Sequence, residues 1–369
     1  MSDNNFVKSY KLYAVTTDPV HIGTGGYTIG RVDNTIVRDP ITKIPKIPGT
    51  SIAGTWRYYM ALELLSWFKE EEKGEKYRSD RKSRKTQKMV VLSLDKAPDW
   101  VKSFDNNCWS CMNCAGQDEK PQESVKTQED DHNKSSHCGR CIVCKSFGFA
   151  KNDRAEQGLL SFADMNILLF PVYTRFGTKW VTSYRVLEEA GLNSSEPQEQ
   201  NDFVLSDSSC QTVKDHINLG WLFLPVKKEK LQVNLPQLSR SIDIKDLIIV
   251  PDTILSQIIN SNLEVRTSVS IDPNTGAAKQ GALFTSEAIP RATILYGNVS
   301  IFDRAHAGNI ANKYPKIALV KDALDTSKKY YQTLGIGGMT TRGFGRMILS
   351  ELMIEVIEGG KDGTETTSN

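Results

Sequence analysis

A chain of 369 residues has room for two domains, or for one domain carrying insertions. With 39% hydrophobic residues it can bury a core, and no apolar run approaches the roughly 20 residues of a membrane-spanning helix. A net charge of +2 excludes a uniformly basic nucleic-acid coat, so any such surface must be local. The opening MSDNNFVKSY carries no signal-peptide pattern, and six of the seven cysteines crowd between 108 and 144, as in a metal site rather than a secreted disulfide framework. The expected setting is the cytoplasm, with no membrane partner.

In chain order, residues 6–17 (FVKSYKLYAVTT) alternate polar and apolar and predict a strand. Gly23, Gly25 and Gly26 form a glycine-rich turn in which the backbone can make close approaches. A short segment with one acidic residue, Asp33, leads to Pro45, Pro48 and Gly49, a turn whose Thr50 or Ser51 can cap the next helix. That helix spans about 51–70, because Ile52, Trp56, Met60, Leu64 and Trp67/Phe68 recur with helical period. Its N-terminus, approached by glycine and hydroxyl residues and flanked by Arg38, Lys43, Lys46 and Arg57, suits a phosphate. The local reading is a phosphate-binding surface with one carboxylate in it.

Residues 69–88 are nearly all charged, with a basic second half; they read as a solvated loop or helix extension, or as a mobile basic arm for an RNA backbone. After an apolar stretch at 89–107 come two CxxCxxC runs, Cys108/Cys111/Cys114 and Cys138/Cys141/Cys144, separated by a polar loop over 115–137. Paired knuckles of this kind bring four thiolates into a tetrahedral zinc site, with free thiols, a redox pair or an iron–sulfur cluster as the other readings. Six cysteines exceed one such site, and His132 and His137 add candidate ligands, so the spacing leaves the four ligands open. A closed thiolate tetrahedron has no position for water, which makes the role structural.

Beyond the knuckle, Gly158–Asp164 and Leu168–Val172 read as strand and turn, with Asp164 a turn or cap residue. Polar residues 190–215, holding the isolated Cys210, read as a surface insertion. Strands are expected at 220–226 and 246–250, then a short helix capped by Asp252 and a β-hairpin whose turn is Asn274-Thr275-Gly276. A helix over 316–333 ends at Gly335, a second glycine-rich stretch runs to Arg346, and a strand covers 347–356. That stretch fits neither the dinucleotide nor the Walker spacing, but its amides with Arg342 and Arg346 suit an RNA backbone.

Several of these stretches resemble the RAMP superfamily (repeat-associated mysterious proteins), specifically the Cas7-like backbone subunits of type III CRISPR effector complexes, nearest the Csm and Cmr backbone ribonuclease subunits. The resemblance rests on Pro19-Val20-His21-Ile22-Gly23-Thr24-Gly25, on Gly30-Arg31-Val32-Asp33-Asn34-Thr35-Ile36-Val37-Arg38, and on Ile47-Pro48-Gly49-Thr50-Ser51-Ile52-Ala53-Gly54-Thr55-Trp56-Arg57. Cys141 and Cys144 followed by Lys145-Ser146-Phe147-Gly148 fit the same pattern, LLFPV at 168–172 with WVTS at 180–183 is similar to the Cmr-type branch, and the late glycine stretch sits where the family has one. Ala53 stands where the family usually has lysine. The resemblance covers pieces from about 10 to 350, with gaps at 69–107 and 190–245.

It implies an α+β fold: a ferredoxin-like (RRM-type) RAMP palm with a zinc-knuckle insertion and a thumb β-hairpin. The partition would be 1–107 for the first part of the palm, 108–148 for the knuckle, 149–358 for the rest with the thumb, and 359–369 for a disordered tail. It further implies a brick of a filament-like hetero-oligomer with other type III Cas subunits, binding CRISPR guide RNA and complementary target RNA. Asp33 would be the catalytic residue of target cleavage with magnesium or manganese, and zinc would be structural. His21, Gly23, Arg38, Lys46, Ser51, Arg57, Gly338, Arg342 and Arg346 would contact RNA. The alternatives are a catalytically silent backbone subunit, with Asp33 a turn cap or the partner of Arg31 or Arg38, and a metal-independent guide-processing ribonuclease. The latter is disfavoured because no histidine lies beyond His306.

Overall fold

The computed structural model describes residues 6–25, 32–70, 89–91, 96–102, 113–116, 137–151, 154–192, 203–236, 238, 242–304 and 313–354. Most of the charged run after residue 70, Cys108, Cys111, His132, Gly26, Arg31 and the expected tail at 359–369 lie outside the described residues.

The alternating segment near the N-terminus forms the strand Val7–Thr16 (β1), and the Pro-Gly turn opens into the helix Gly49–Ser66 (α1). Then come the strands Met165–Thr174 (β2), Gly177–Thr182 (β3), Val204–Asp207 (β4), His216–Leu219 (β5), Leu222–Glu229 (β6) and Leu247–Ile249 (β7). The helix Asp252–Ser261 (α2) precedes the hairpin strands Glu264–Ile271 (β8) and Ala278–Ala288 (β9). The strand Ile294–Phe302 (β10), the helix Ile317–Ser327 (α3) and the strand Met347–Leu349 (β11) complete the frame.

The described residues form a 12-stranded mixed sheet whose main path runs β5-β6-β4-β7-β3-β2-β10-β1-β11. The β3-β2-β10-β1-β11 side is antiparallel: β1 pairs with β10 from Val7↔Phe302 to Val15↔Ile294, and with β11 at Ala14↔Leu349. The pairs β4/β6 and β7/β3 are parallel. Helices α1 and α3 pack together over buried Ile52, Trp56, Met60 and Leu64, the residues whose spacing predicted α1. Trp56 is fully buried, and its indole N–H donates to Ser327 Oγ of α3 at 3.1 Å, so the largest apolar side chain of α1 also satisfies its polar atom. The hairpin β8/β9 forms its own two-stranded sheet, closed at Asp272–Ala277 with Gly276 at positive φ, as its Asn-Thr-Gly turn predicted.

Several expectations are corrected. Residues 190–215 are not wholly a surface insertion, because β4 is buried along its length between β6 and β7, and Cys210 is 2% exposed. Val204 and Leu205 supply the apolar face, while Asp207 is satisfied by the Ser209 and Leu231 amides, so a short polar-flanked segment still joins the core. The helix expected over 316–333 breaks after Ser327 and resumes at Tyr330–Thr333. The strand expected over 347–356 divides into β11 and Met353–Ile354, both paired with β1. Asp252 is the first helical residue of α2 rather than its cap.

Candidate nucleic-acid interface and metal centre

The two glycine-rich stretches fold onto each other. Val20 and Ile289 exchange backbone hydrogen bonds at 2.8 and 2.9 Å, which draws the 19–23 turn against the end of β9. His21 is buried at 8% exposure, and its Nδ1 lies 2.6 Å from the Glu287 carbonyl. A carbonyl only accepts, so Nδ1 carries the proton. The His21 carbonyl accepts from Gly338 N–H at 2.9 Å, and the Pro19 carbonyl from Gly345 N–H at 2.8 Å. Gly337 is required here: its φ is +83°, and a Cβ would lie 2.3 Å from the His21 carbonyl oxygen. His21, Gly23 and Gly338 therefore form one joint, with His21 as its buried pin.

Asp33 sits beside that joint and is exposed. Its Oδ2 accepts from Thr285 N–H at 2.8 Å and Thr285 Oγ1–H at 2.9 Å, which hold the carboxyl below the usual carboxylate range. Asp33 N–H donates back to Thr285 Oγ1 at 3.1 Å. The next rungs join Asn34 N–H to the Thr285 carbonyl and Glu287 N–H to the Asn34 carbonyl, both at 3.0 Å. Arg38 does not pair with Asp33. It donates to buried Glu287 at 2.6 Å, to Asn260 Oδ1 at 2.9 Å and to the Ile36 carbonyl at 3.0 Å. Glu287 also accepts from Ile36 N–H at 3.4 Å, so one carboxylate ties the Asp33 segment to the base of the hairpin.

The N-terminus of α1 already holds an anion. Asp164 Oδ1 accepts from Gly49 N–H at 2.8 Å, and Oδ2 pairs with Lys46 at 2.7 Å, which lifts the Lys46 pKa. The capping expected of Thr50 or Ser51 is corrected: helix α1 has Pro48 at its N-cap position with no side-chain bond, and Asp164 supplies the carboxylate from a distant segment. A Cβ at Gly49 would lie 2.3 Å from the Phe162 carbonyl oxygen, so this close approach specifies glycine. Lys46 also pairs with Asp39 at 3.2 Å, and Ser51 is half-buried next to this cluster.

Arg342 and Arg346 flank the second glycine stretch. Arg346 pairs with Asp18 at 2.5 Å. Arg342 is exposed, its guanidinium has no partner among the described residues, and with Val269, Ile271 and Phe284 it lines a groove along the hairpin. On the hairpin itself Val269, Ile271 and Leu283 are exposed apolar side chains.

Arg57 faces elsewhere. Its Nε donates to the Cys114 carbonyl at 2.7 Å and its Nη2 to His137 Nδ1 at 3.1 Å, tying α1 to the cysteine cluster. Cys114, Cys138, Cys141 and Cys144 bring their sulfurs within 4.8 Å of one another, and three of the four are buried. The Cys138 and Cys144 sulfurs are 3.9 Å apart, against the about 3.8 Å edge of a zinc–thiolate tetrahedron. Arg140 and Cys141 amides point at the Cys138 sulfur at 3.4 and 3.2 Å, as donors that favour thiolate. The cluster fits a four-sulfur metal site, which the spacing of six cysteines could not single out. His137 serves Arg57 instead. Among the described residues no other group of three or more potential ligands converges.

Sequence reasoning missed Thr285, Glu287 and Asn260. Only the charge of Glu287 beside the apolar Ala288-Ile289 hinted at a buried partner.

The frame is a mixed α/β sheet protein with a projecting hairpin and a cysteine cluster. The RAMP superfamily profile matches residues 13–348, and the chain belongs to that superfamily. Among curated proteins it is similar to the CRISPR system Cms endoribonuclease Csm3 of Methanothermobacter thermautotrophicus, 49% identical over 47 residues, 12% of this chain and 19% of that one. It is 50% identical over 44 residues to the same-named protein of Enterococcus italicus, 11% of this chain and 21% of that one. These matches thus span only about a fifth of each relative. Among solved structures, a type III-B Cmr-beta chain in the apo state aligns at TM-score 0.53 and 14% identity, covering 93% of this chain and 96% of that one. A crystal structure of Cmr4 aligns at 0.50 and 20%, covering 94% and 100%. The expected kinship with Cas7-like backbone subunits of type III complexes holds.

Proposed function

We propose that this protein is a guide-RNA-binding backbone subunit of a type III CRISPR complex that cleaves complementary target RNA through Asp33. The observation that carries the reading is the exposed, ionised Asp33 carboxylate, set where the hairpin leaves the sheet and where both glycine stretches meet. Supporting it are superfamily membership, relatives named as endoribonucleases, and the likeness in fold to a Cmr-beta chain bound to cognate target RNA, at TM-score 0.51 and 16% identity.

In this reading the strands β11-β1-β10-β2, in that order, with α1 and α3 are a ferredoxin-like palm, the hairpin β8/β9 is its thumb, and the cysteines hold a structural zinc. The partition is the palm to residue 107, the knuckle over 108–148 and the remainder with the thumb to 358. Guide and target RNA lie along the Asp33–Arg342 face, other Cas subunits extend the chain into a filament, and the assembly works in the cytoplasm. Among the described residues no helix is long and apolar enough to cross a membrane. RNA recognition is by shape and phosphate, since guide–target pairing carries the sequence.

The chemistry assigned to this chain is modest. Ionised Asp33 offers Oδ1 to the flanking ribose 2′-OH or to a cation held chiefly by RNA oxygens. A magnesium or manganese ion bound there with the RNA would supply positive charge at the phosphate. Target cleavage by the assembled complex carrying Asp33→Ala, with Mg²⁺ and with EDTA, tests the reading. The regularly spaced cuts vanish while assembly and guide binding survive; cuts that persist mean a silent backbone subunit.

A further inference from the structure

What holds the Asp33 carboxylate is a three-bond clasp to one residue. Thr285 N–H and Oγ1–H both donate to Oδ2, and Asp33 N–H donates to Thr285 Oγ1. The hydroxyl accepts and donates at once, so it locks both the backbone and the side chain of Asp33. Among the described residues no side chain other than Thr285 hydrogen-bonds that carboxylate, and both Thr285 bonds fall on Oδ2. Thr285 belongs to β9, paired with Thr267 of β8, and its carbonyl takes the amide of Asn34. The hairpin and Asp33 are thereby one continuous hydrogen-bonded unit.

We infer that Thr285 is the positioning residue of Asp33: it fixes one carboxylate oxygen, presents the other to the target RNA, and makes the hairpin strand the reference from which the scissile phosphate is measured. This rests on the reading that Asp33 carries cleavage. A hairpin seated against RNA would then place the carboxylate in register through Thr285, without a second charged residue. Near-attack geometry is sensitive to shifts of about 1 Å, so loosening the clasp acts on rate rather than on binding.

The test is single-turnover target cleavage by the assembled complex with Thr285→Val, Thr285→Ala and Thr285→Ser, beside Asp33→Asn. Valine keeps the shape and the backbone N–H but removes both hydroxyl bonds. The expected result is a loss of about tenfold to a hundredfold in T285V and T285A, with T285S within about twofold of the unaltered complex and guide binding unchanged in all. The acid limb of the pH–rate profile moves to higher pH in T285V, because the hydroxyl no longer favours the ionised carboxylate. A merely structural role would not move that limb. Wild-type rates and an unmoved limb in T285V and T285A overturn the inference, as does a T285S as impaired as T285V. Full activity in D33N overturns the underlying reading instead, whatever Thr285 does.

Discussion

The cysteine cluster and the Asp33 site are opposite solutions to placing reactive side chains. At the cluster four thiols converge in a buried pocket, each able to complete the others' coordination. At Asp33 one carboxylate stands exposed, held by Thr285 on a single oxygen. A closed donor set stabilises a fold and leaves no room for a substrate; a half-used one does little for the fold and leaves an atom for chemistry. Arg57 and Arg38 show the same division. Arg57 is committed to the cluster side of α1, and Arg38 braces the hairpin side through Glu287.

The largest expected effect is at the closed site. On the proposed zinc reading, Cys141→Ser removes one of four ligands, and structural zinc contributes on the order of 10 kcal/mol to small metal-dependent folds. The variant should lose bound zinc by elemental analysis and melt far below the unaltered chain; full zinc content with an unchanged melt would break the contrast.

A smaller effect follows at Arg57. Truncating Arg57→Ala removes the bonds it donates to the Cys114 carbonyl and to His137 Nδ1, a loss of about 1–3 kcal/mol. Zinc release to a chelator should quicken, while RNA affinity changes little. A salt-sensitive fall in guide binding would instead assign Arg57 to RNA.

The smallest effect sharpens what makes Asp33 distinct. Asp39 is likewise held ionised, its pKa drawn down to about 2 by the Thr42 and Ile41 amides and then by Lys46. A depressed folded pKa gives stability that is present above the ordinary carboxylate pKa and lost as pH falls through the folded value. The melting difference between the unaltered chain and Asp39→Asn should thus be constant above about pH 5 and shrink towards pH 2, with cleavage unaffected. A difference that grows on acidification would contradict this.

How much of this was legible depends on distance along the chain. The strand at Val7–Thr16, the core face of α1 and the Asn-Thr-Gly hairpin follow from local periodicity and turn chemistry. The buried strand at Val204–Asp207 was hidden because its polar residues are satisfied by neighbours no window around it contains. The cap of α1 comes from 115 residues downstream and the Asp33 clasp from 252, separations that no pattern reveals. Asp33 itself stood out only through family resemblance, since a lone acidic residue after a glycine turn is otherwise a turn residue. The convergence of Cys114 with the 138–144 run needed the fold to bring the two segments together.

The most direct measurement is target cleavage by the assembled complex carrying Asp33→Asn, with its thermal melt recorded on the same sample. Asparagine keeps an oxygen for the two Thr285 donors and removes only the charge. The account predicts a melt lowered only slightly, since the depressed Asp33 pKa carries some stability, with intact guide binding and loss of the cuts; cuts persisting at the unaltered rate would contradict it and make this subunit a silent brick.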